Sequence, residues 1–372
     1  MWDRPDPRVW SGIPFYLHNA MNLSDGDDIV EVNAGLAGGM VDSFMSSVFF
    51  QRVSGEIIRN YHHSFLYKKI TEGQFSRAYN AVSRKTPVDC LLEIGDLGGT
   101  GVPYYTYQDL HYYGIIEARR RGGYVPYGWA RAKSGDLERL FDRQLKMYQH
   151  AAGIFCMSRW LAESIVRDLK ISPSKVHVAP AGLNLPGGSS RPRAPRTLPA
   201  EELRLLFVGL DFHRKGGDIL LKAFEILKKE YPGNVVLNIA GPLSLPGGVV
   251  PPGVNFYGQV GKEKLIALYE ESDLFVMPSR FEPFGIAFLE AMSFGLPCIG
   301  RNAFAMPEFI SKGVNGDLVD GDEAVELAGK IQKIALDRDF YKALSDNAIG
   351  TAAKFSWSST AGDMIRIMKL SA

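Results

Sequence analysis

Two glutamates, Glu282 and Glu290, stand with seven residues between them in the stretch SRFEPFGIAFLEAMSFGLP, residues 279–297. The first precedes a Pro-Phe-Gly turn, and the second lies inside the helix that the turn opens. The run LFVMPS just before reads as a strand ending at Ser279; Gly285 opens the helix, and Gly295 with Pro297 closes it. Free amides of Phe284, Gly285 and Ile286, with the positive end of the helix dipole, make an anion site, and Gly285 lets a ligand approach the backbone closely. Glu290 lies on the order of 7 Å along the axis from Gly285. A phosphate at the helix start therefore has a carboxylate on either side. Carboxylates repel phosphate but accept hydrogen bonds from hydroxyls, so the pattern suits a diphosphate with a sugar at each end, a nucleotide sugar.

Positive charge comes from VGLDFHRKGG, residues 208–217, where Arg214 and Lys215 leave the end of a strand and Gly216 and Gly217 lead into a helix. Cations placed there neutralise a leaving diphosphate. The spacing lacks the Gly-Lys-Ser or Gly-Lys-Thr end of a Walker loop, and GxGxxG is absent, which sets kinases and dinucleotide enzymes aside. The plainer reading of these residues is two solvated carboxylates around an ordinary helix beside an exposed charge pair. His213 reads as a surface residue, and adjacent His62 and His63 have no partners at metal-ligand spacing.

The elements that must hold these groups alternate regularly from about residue 200. LRLLFVGL, NVVLNIAG, VNFYGQV, LFVMPS and LPCIG read as strands, and GGDILLKAFEILKKEYPG reads as a helix with Ile219, Leu220, Ala223, Phe224 and Leu227 on one face. GKEKLIALYEESD is a further helix. The first half repeats this grammar with longer insertions: DDIVEVNAGL, PVDCLLEIGD, VPYYTYQDL, AGIFCMS and KVHVAPAGL are strand candidates, with Ser158 as an N-cap and Pro173 in the first turn of a short element. An α/β series of this kind implies parallel sheets covered by helices on both faces. Residues 1–186 form a first domain, the Gly/Pro/Ser-rich 187–199 a linker, and 200–372 a second domain. Two doubly wound, Rossmann-like domains create a cleft, where ligands bind outside the carboxyl ends of the strands. The first domain lacks an apolar opening strand before WSGIPF, so the start of the chain is late or the sheet is one strand short.

Taken together, HRKGG, GPL, FYGQV, SRFEPFGIAFLEAMSFGLP and GVNGDLV resemble the retaining, nucleotide-sugar-dependent glycosyltransferases of family 4, with the GT-B fold. In the first half the resemblance extends to WSGIPFYLHNA, LLEIGDLGGTGVPYYTYQDL and the segment around CMSRWLAESI. It implies that Glu282 meets donor-sugar hydroxyls, that the backbone of Phe284, Gly285 and Ile286 meets the diphosphate, that Glu290 holds the ribose, and that Lys215 contacts the phosphates. Where the family often has an arginine after Gly209, a donor-site glycine, this chain has Leu210, and Arg214 stands in for that charge. The family's glycine-rich loop matches Ser11 and Gly12, placed against the donor phosphate or the acceptor. A family histidine at a central strand end has its counterparts here among Gln108, Asp109 and His111, of which His111 and Asp109 are candidates for the catalytic centre. The last helix, about 356–370, is expected to cross back to the first domain. The resemblance further implies retention without a metal or other cofactor, a UDP- or GDP-sugar co-substrate, and a glycan, lipid-linked or small-molecule hydroxyl acceptor in cell-surface polysaccharide or glycoconjugate biosynthesis. A same-fold phosphorylase, a nucleotide-sugar epimerase and a non-catalytic glycan-binding scaffold remain the alternatives.

Composition bounds the rest. The chain has 372 residues, enough for two cores, with 46% hydrophobic and 22% charged residues, as in a globular protein. Lys plus Arg number 42 against 41 Asp plus Glu, so no global field draws it to nucleic acid. Cys90, Cys156 and Cys298 sit in apolar runs and read as buried thiols of a reducing compartment. No apolar run is long enough to span a bilayer and the start is unlike a signal peptide. A cytoplasmic location follows, with peripheral contact to the inner membrane face open; EARRRGGYVPYGWARAK, residues 117–133, is either a lipid or polysaccharide surface or a solvated loop. Nothing in the sequence speaks to oligomeric state.

Overall fold

A computed structural model describes residues 12–23, 29, 50–53, 56–59, 65–94, 96, 98–99, 101–130, 132–185 and 202–371. The chain divides into two compact units, Met1–Ala181 with Trp357–Ala372, and Gly182–Ser356.

In the first unit, helix α1 (Ile13–Asn22) precedes an antiparallel pair, β1 (Phe50–Val53) and β2 (Glu56–Arg59), which no strand candidate anticipated. After α2 (Phe65–Ser83) come β3 (Leu91–Ile94), β4 (Tyr104–Gln108), α3 (Tyr112–Arg120), α4 (Ser134–His150), β5 (Gly153–Cys156), α5 (Arg159–Leu169) and β6 (Val176–Val178). Strands β3 to β6 form a parallel sheet in simple sequential order, so among the described residues its strand order does not reverse. Every residue of β4 and β5 is buried, as a strand covered on both faces requires. Ser158 caps α5, its Oγ accepting from the Leu161 amide at 3.1 Å, and Pro173 begins a single 3-10 turn before β6. The C-terminal helix Trp357–Ser371 belongs to this unit; Thr360 Oγ1 donates to the Pro180 carbonyl at 2.6 Å. Residues 27 and 28 and most of the strand candidate they begin, like 187–199, lie outside the described residues.

The second unit contains β7 (Glu202–Val208), α6 (Gly217–Glu230), β8 (Asn234–Ala240), β9 (Val254–Gly258), α7 (Lys262–Glu271), β10 (Leu274–Val276), α8 (Ile286–Ser293), β11 (Cys298–Arg301), β12 (Gly316–Val319), α9 (Ala324–Leu336) and α10 (Arg338–Ala352). All six strands are parallel, in the order β12-β11-β10-β7-β8-β9. This is the doubly wound dinucleotide-fold order, and its reversal point lies between β7 and β10. The apolar face expected for α6 is the buried one: Ile219, Leu220, Ala223, Phe224 and Leu227. Cys156 and Cys298 are buried, whereas Cys90 is half-buried because it precedes β3 rather than lying in it. Among the described residues no helix is long and apolar enough to cross a membrane.

Candidate functional site

The loops that leave β7 and β10 flank the reversal point of the second sheet, and they carry the residues singled out by spacing. Gly209 follows β7, and a Cβ there would fall 2.0 Å from Cδ of Lys215. Only a residue without a side chain leaves the slot in which the lysine stem lies. Gly216, at φ 76°, turns the chain into α6 and presses on the Pro278 carbonyl, where a Cβ would come within 2.4 Å. The two loops therefore touch through backbone.

Their charges converge on one oxygen. Lys215 Nζ lies 2.9 Å from Glu282 Oε2, and Arg214 Nη1 lies 3.3 Å from the same atom. Burial alone would push the Glu282 carboxyl up, but Lys215 and Arg214 outweigh it and hold the group below its usual value. Arg214 is also committed to the fold: Nη1 donates to the Phe281 carbonyl at 2.7 Å, and Nε lies 3.4 Å from Asp211 Oδ2. These contacts make Arg214 a brace for the loop after β10 as well as a charge at the site, while Lys215, whose other contact is Met277 Sδ at 3.6 Å, is the cation held mainly by the site itself. Leu210, beside them, is 67% exposed.

Helix α8 begins at Ile286 behind its N-cap Gly285, whose φ of 91° supplies the sharp entry, and Phe284 stands just before that cap. The amides at a helix start have no intrahelical partner. Within the helix, Glu290 is buried, with the Tyr269 hydroxyl 3.3 Å from Oε2; Tyr269 itself stacks on Phe294 at 5.3 Å. Burial pushes the Glu290 carboxyl up to about 7, against the opposing pull of the Tyr269 hydroxyl, Lys262 and Lys215. The two glutamates thus differ in kind: Glu282 is an anion fixed by cations, and Glu290 is a carboxyl poised to ionise near neutrality.

Four charged residues that spacing did not single out hold the loop after β10. Arg280 makes a two-pronged bond to Asp218 (2.6 and 2.9 Å), donates Nε to Asp322 Oδ2 (2.7 Å) and donates Nη1 to the His213 carbonyl (2.6 Å). Arg301 donates to Asp322 Oδ1 (2.5 Å), to the Ser279 carbonyl (2.9 Å) and to the Pro278 carbonyl (3.1 Å). The available signal was an arginine just after β10 and another closing β11, each at the carboxyl end of a strand. His213 is exposed, as expected, but its Nδ1 faces Arg280 at 2.8 Å.

In the first unit, both ring nitrogens of His111 have partners. Its Nδ1 accepts from the Gly114 amide at 2.9 Å, which leaves the ring proton on Nε2, facing Ser164 Oγ at 2.8 Å; that hydroxyl donates to Asp168 Oδ2 at 2.7 Å. Burial, the largest influence, pushes His111 down to about 4. It is therefore a neutral N-cap of α3 with both nitrogens engaged. Asp109 lies half-buried directly after β4, and Gln108, the last residue of that strand, donates to Thr106 Oγ1 at 2.6 Å. Gly12, at φ 77°, is the N-cap of α1; Ser11 lies outside the described residues.

Known proteins share this fold. Sucrose-phosphate synthase from Thermosynechococcus elongatus superimposes with a TM-score of 0.65 at 22% identity, over 86% of this chain and 82% of that one. WaaG, a glycosyltransferase involved in lipopolysaccharide biosynthesis, does so with 0.62 at 17% identity, over 80% and 82%. The fold is the GT-B architecture of such glycosyltransferases, with two Rossmann-like units. Residues 190–351 match the family model described as Glycosyl transferases group 1, so the match falls on the unit that holds Lys215, Glu282 and Glu290. D-inositol 3-phosphate glycosyltransferase of Actinosynnema mirum is 32% identical over 214 residues, 52% of this chain and 51% of the relative. That of Mycolicibacterium smegmatis is 32% identical over 215 residues, 54% and 48%. The chain spans about half the length of the curated relatives it matches.

Proposed function

We propose that the protein is a retaining glycosyltransferase that moves a sugar from a nucleotide diphosphate sugar to a hydroxyl acceptor. The observation that carries this reading is the Lys215–Glu282 pair, 2.9 Å apart and beside the start of α8 at the reversal point of the sheet. The diphosphate sits between the Lys215 ammonium and the amides of Phe284, Gly285 and Ile286, Glu282 accepts from sugar hydroxyls, and Glu290 accepts from the ribose. The bond between the anomeric carbon and the β-phosphate oxygen breaks with its electron pair going to that oxygen. The acceptor oxygen bonds the same face of the anomeric carbon, and its proton passes to the departing phosphate. Lys215 and the helix start stabilise the charge that develops there, so no step calls for a metal. The acceptor is a glycan, a lipid-linked glycan or a small polyol; the relatives' names make an inositol phosphate the first one to try, and a role in cell-surface glycoconjugate synthesis fits this chemistry.

A thermal-shift panel of UDP, GDP, ADP and their common sugars tests the donor half. One nucleotide at 100 times its dissociation constant should stabilise the protein by about 2.7 kcal/mol, a shift of roughly a few degrees, and Glu290→Ala should abolish it. No shift with any nucleotide would overturn the reading. Sugar transfer that proceeds only with acceptor present distinguishes a transferase from an epimerase, and independence of added phosphate distinguishes it from a phosphorylase.

Gly209→Ala provides a second check. The added methyl occupies the slot of the Lys215 stem, so the lysine must leave it. The expected result is a folded protein whose kcat falls by roughly tenfold or more, a loss of about 1.4 kcal/mol of transition-state stabilisation. Steady-state kinetics beside a melting curve would show it, and an unchanged kcat would mean that Lys215 acts from another rotamer.

A further inference from the structure

We propose that Arg280 is a positioning residue that locks the loop carrying Lys215 to the loop carrying Glu282, and thereby sets how strongly the site holds a diphosphate. The inference rests on the nucleotide-sugar reading above and adds to it a residue outside the ligand contacts.

The loop 278–282 is pinned at successive residues. The Pro278 and Ser279 carbonyls accept from Arg301, the Arg280 amide donates to the Arg214 carbonyl at 2.8 Å, the Phe281 carbonyl accepts from Arg214, and the Glu282 carboxylate meets Lys215. Arg280 is the member of this set whose side chain reaches three other segments at once. Its fork closes on Asp218 in the first turn of α6, its Nε on Asp322 beyond β12, and its Nη1 on the carbonyl of His213, two residues before Lys215. The Arg280 side chain is 13% exposed and its fork to Asp218 is part-buried, where charge-assisted pairs are stronger, whereas Asp322 on its other side is half exposed. Its backbone and side chain thus grip the 213–215 segment from two sides, through the Arg214 and His213 carbonyls.

A planar fork is what this task needs. One ammonium cannot satisfy both oxygens of Asp218 in parallel and also donate to Asp322 and the His213 carbonyl along fixed directions. Without the fork, the two loops keep their sequence but lose their common register. Lys215 and Glu282 then sample a range of separations instead of 2.9 Å, and the helix start and the ammonium no longer face one phosphate together. Glu290 and Tyr269 belong to α8 and α7 and lack any contact with Arg280, so the ribose half of the site is left alone.

That division supplies the test. The affinity of the full chain is measured for the nucleoside diphosphate identified by the panel above and, by ligand-observed NMR, for the matching nucleoside, in wild type, Arg280→Lys and Asp322→Asn. The ratio of the two affinities reports the diphosphate contacts alone. Arg280→Lys is expected to lower that ratio roughly tenfold or more while nucleoside affinity stays within about twofold. Asp322→Asn removes the partner shared by Arg280 and Arg301 and should lower the ratio by a smaller factor; it keeps the test informative if the first variant fails to fold. An unchanged ratio in a folded variant, or an equal loss for nucleoside and diphosphate, would overturn the proposal. A wild type that binds no nucleoside diphosphate would instead overturn the reading on which it rests.

Discussion

Lys215→Ala is expected to lower the transfer rate by about 10²-fold to 10³-fold, the cost of removing one preorganised charge from a developing oxyanion. The geometry argues for a rate effect more than a binding effect. In the free protein Lys215 already lies 2.9 Å from Glu282, so a ground-state diphosphate must compete with that carboxylate for the ammonium. Charge on the β-phosphate oxygen rises as the glycosidic bond breaks, and the competition then tilts toward the phosphate. The interaction is therefore stronger in the transition state than in the Michaelis complex, which is the condition for an effect on kcat. Stability should change little, since Arg214 still faces Glu282 and the carboxylate is not orphaned. The decisive measurement is kcat with saturating donor, compared with the melting midpoint of the same preparation. A loss below tenfold, in a folded variant, would remove Lys215 from the reaction centre.

The parts of this molecule that follow from local pattern were legible in the sequence. The period of α6 marked its buried face residue by residue, and Gly285 and Gly295 bracketed α8, because each signal lies within one element. The alternation of strand and helix implied parallel sheets, although only the structure shows that β7 and β10 are neighbours and that the site loops meet there. The pairing of β1 with β2 is not legible as a buried apolar run between helices, because it is a short antiparallel ribbon of two four-residue strands. His111 is a different case. Its place after the β4 strand end suggested chemistry, yet its partners are an amide three residues on and a serine 53 residues away, and only the second could not have been guessed. The Arg280 clamp was hidden for the same reason: Asp218 lies 62 residues upstream and Asp322 lies 42 downstream, distances that no spacing rule spans.

Glu290→Gln is expected to make the protein more stable above neutral pH while weakening nucleotide binding there. Burial raises the Glu290 carboxyl to about 7 from an ordinary 4.5. Below 4.5 the group is protonated whether the chain is folded or not, and its contribution is fully present. Between 4.5 and about 7 the unfolded chain releases the proton and the folded one keeps it, so stability is lost as pH rises; above about 7 both forms are ionised and the loss is complete. A difference of about 2.5 units corresponds to about 3 kcal/mol. Glutamine retains the shape and cannot ionise, so the variant escapes that loss, and its melting midpoint at pH 8 should exceed that of wild type while the two converge toward pH 4.5. Binding runs the other way. A ribose hydroxyl donates to the ionised carboxylate, so wild-type affinity for the nucleotide should climb roughly tenfold from pH 6 to 8 as the group ionises. The glutamine variant, which carries only the ligand's own titration, should show a smaller rise and provides the baseline. Parallel pH series of melting and of nucleotide affinity in the two proteins would separate the effects. Equal stabilities across the range would mean that Glu290 ionises at an ordinary pH, and equal pH profiles of affinity would mean that it does not hold the ribose.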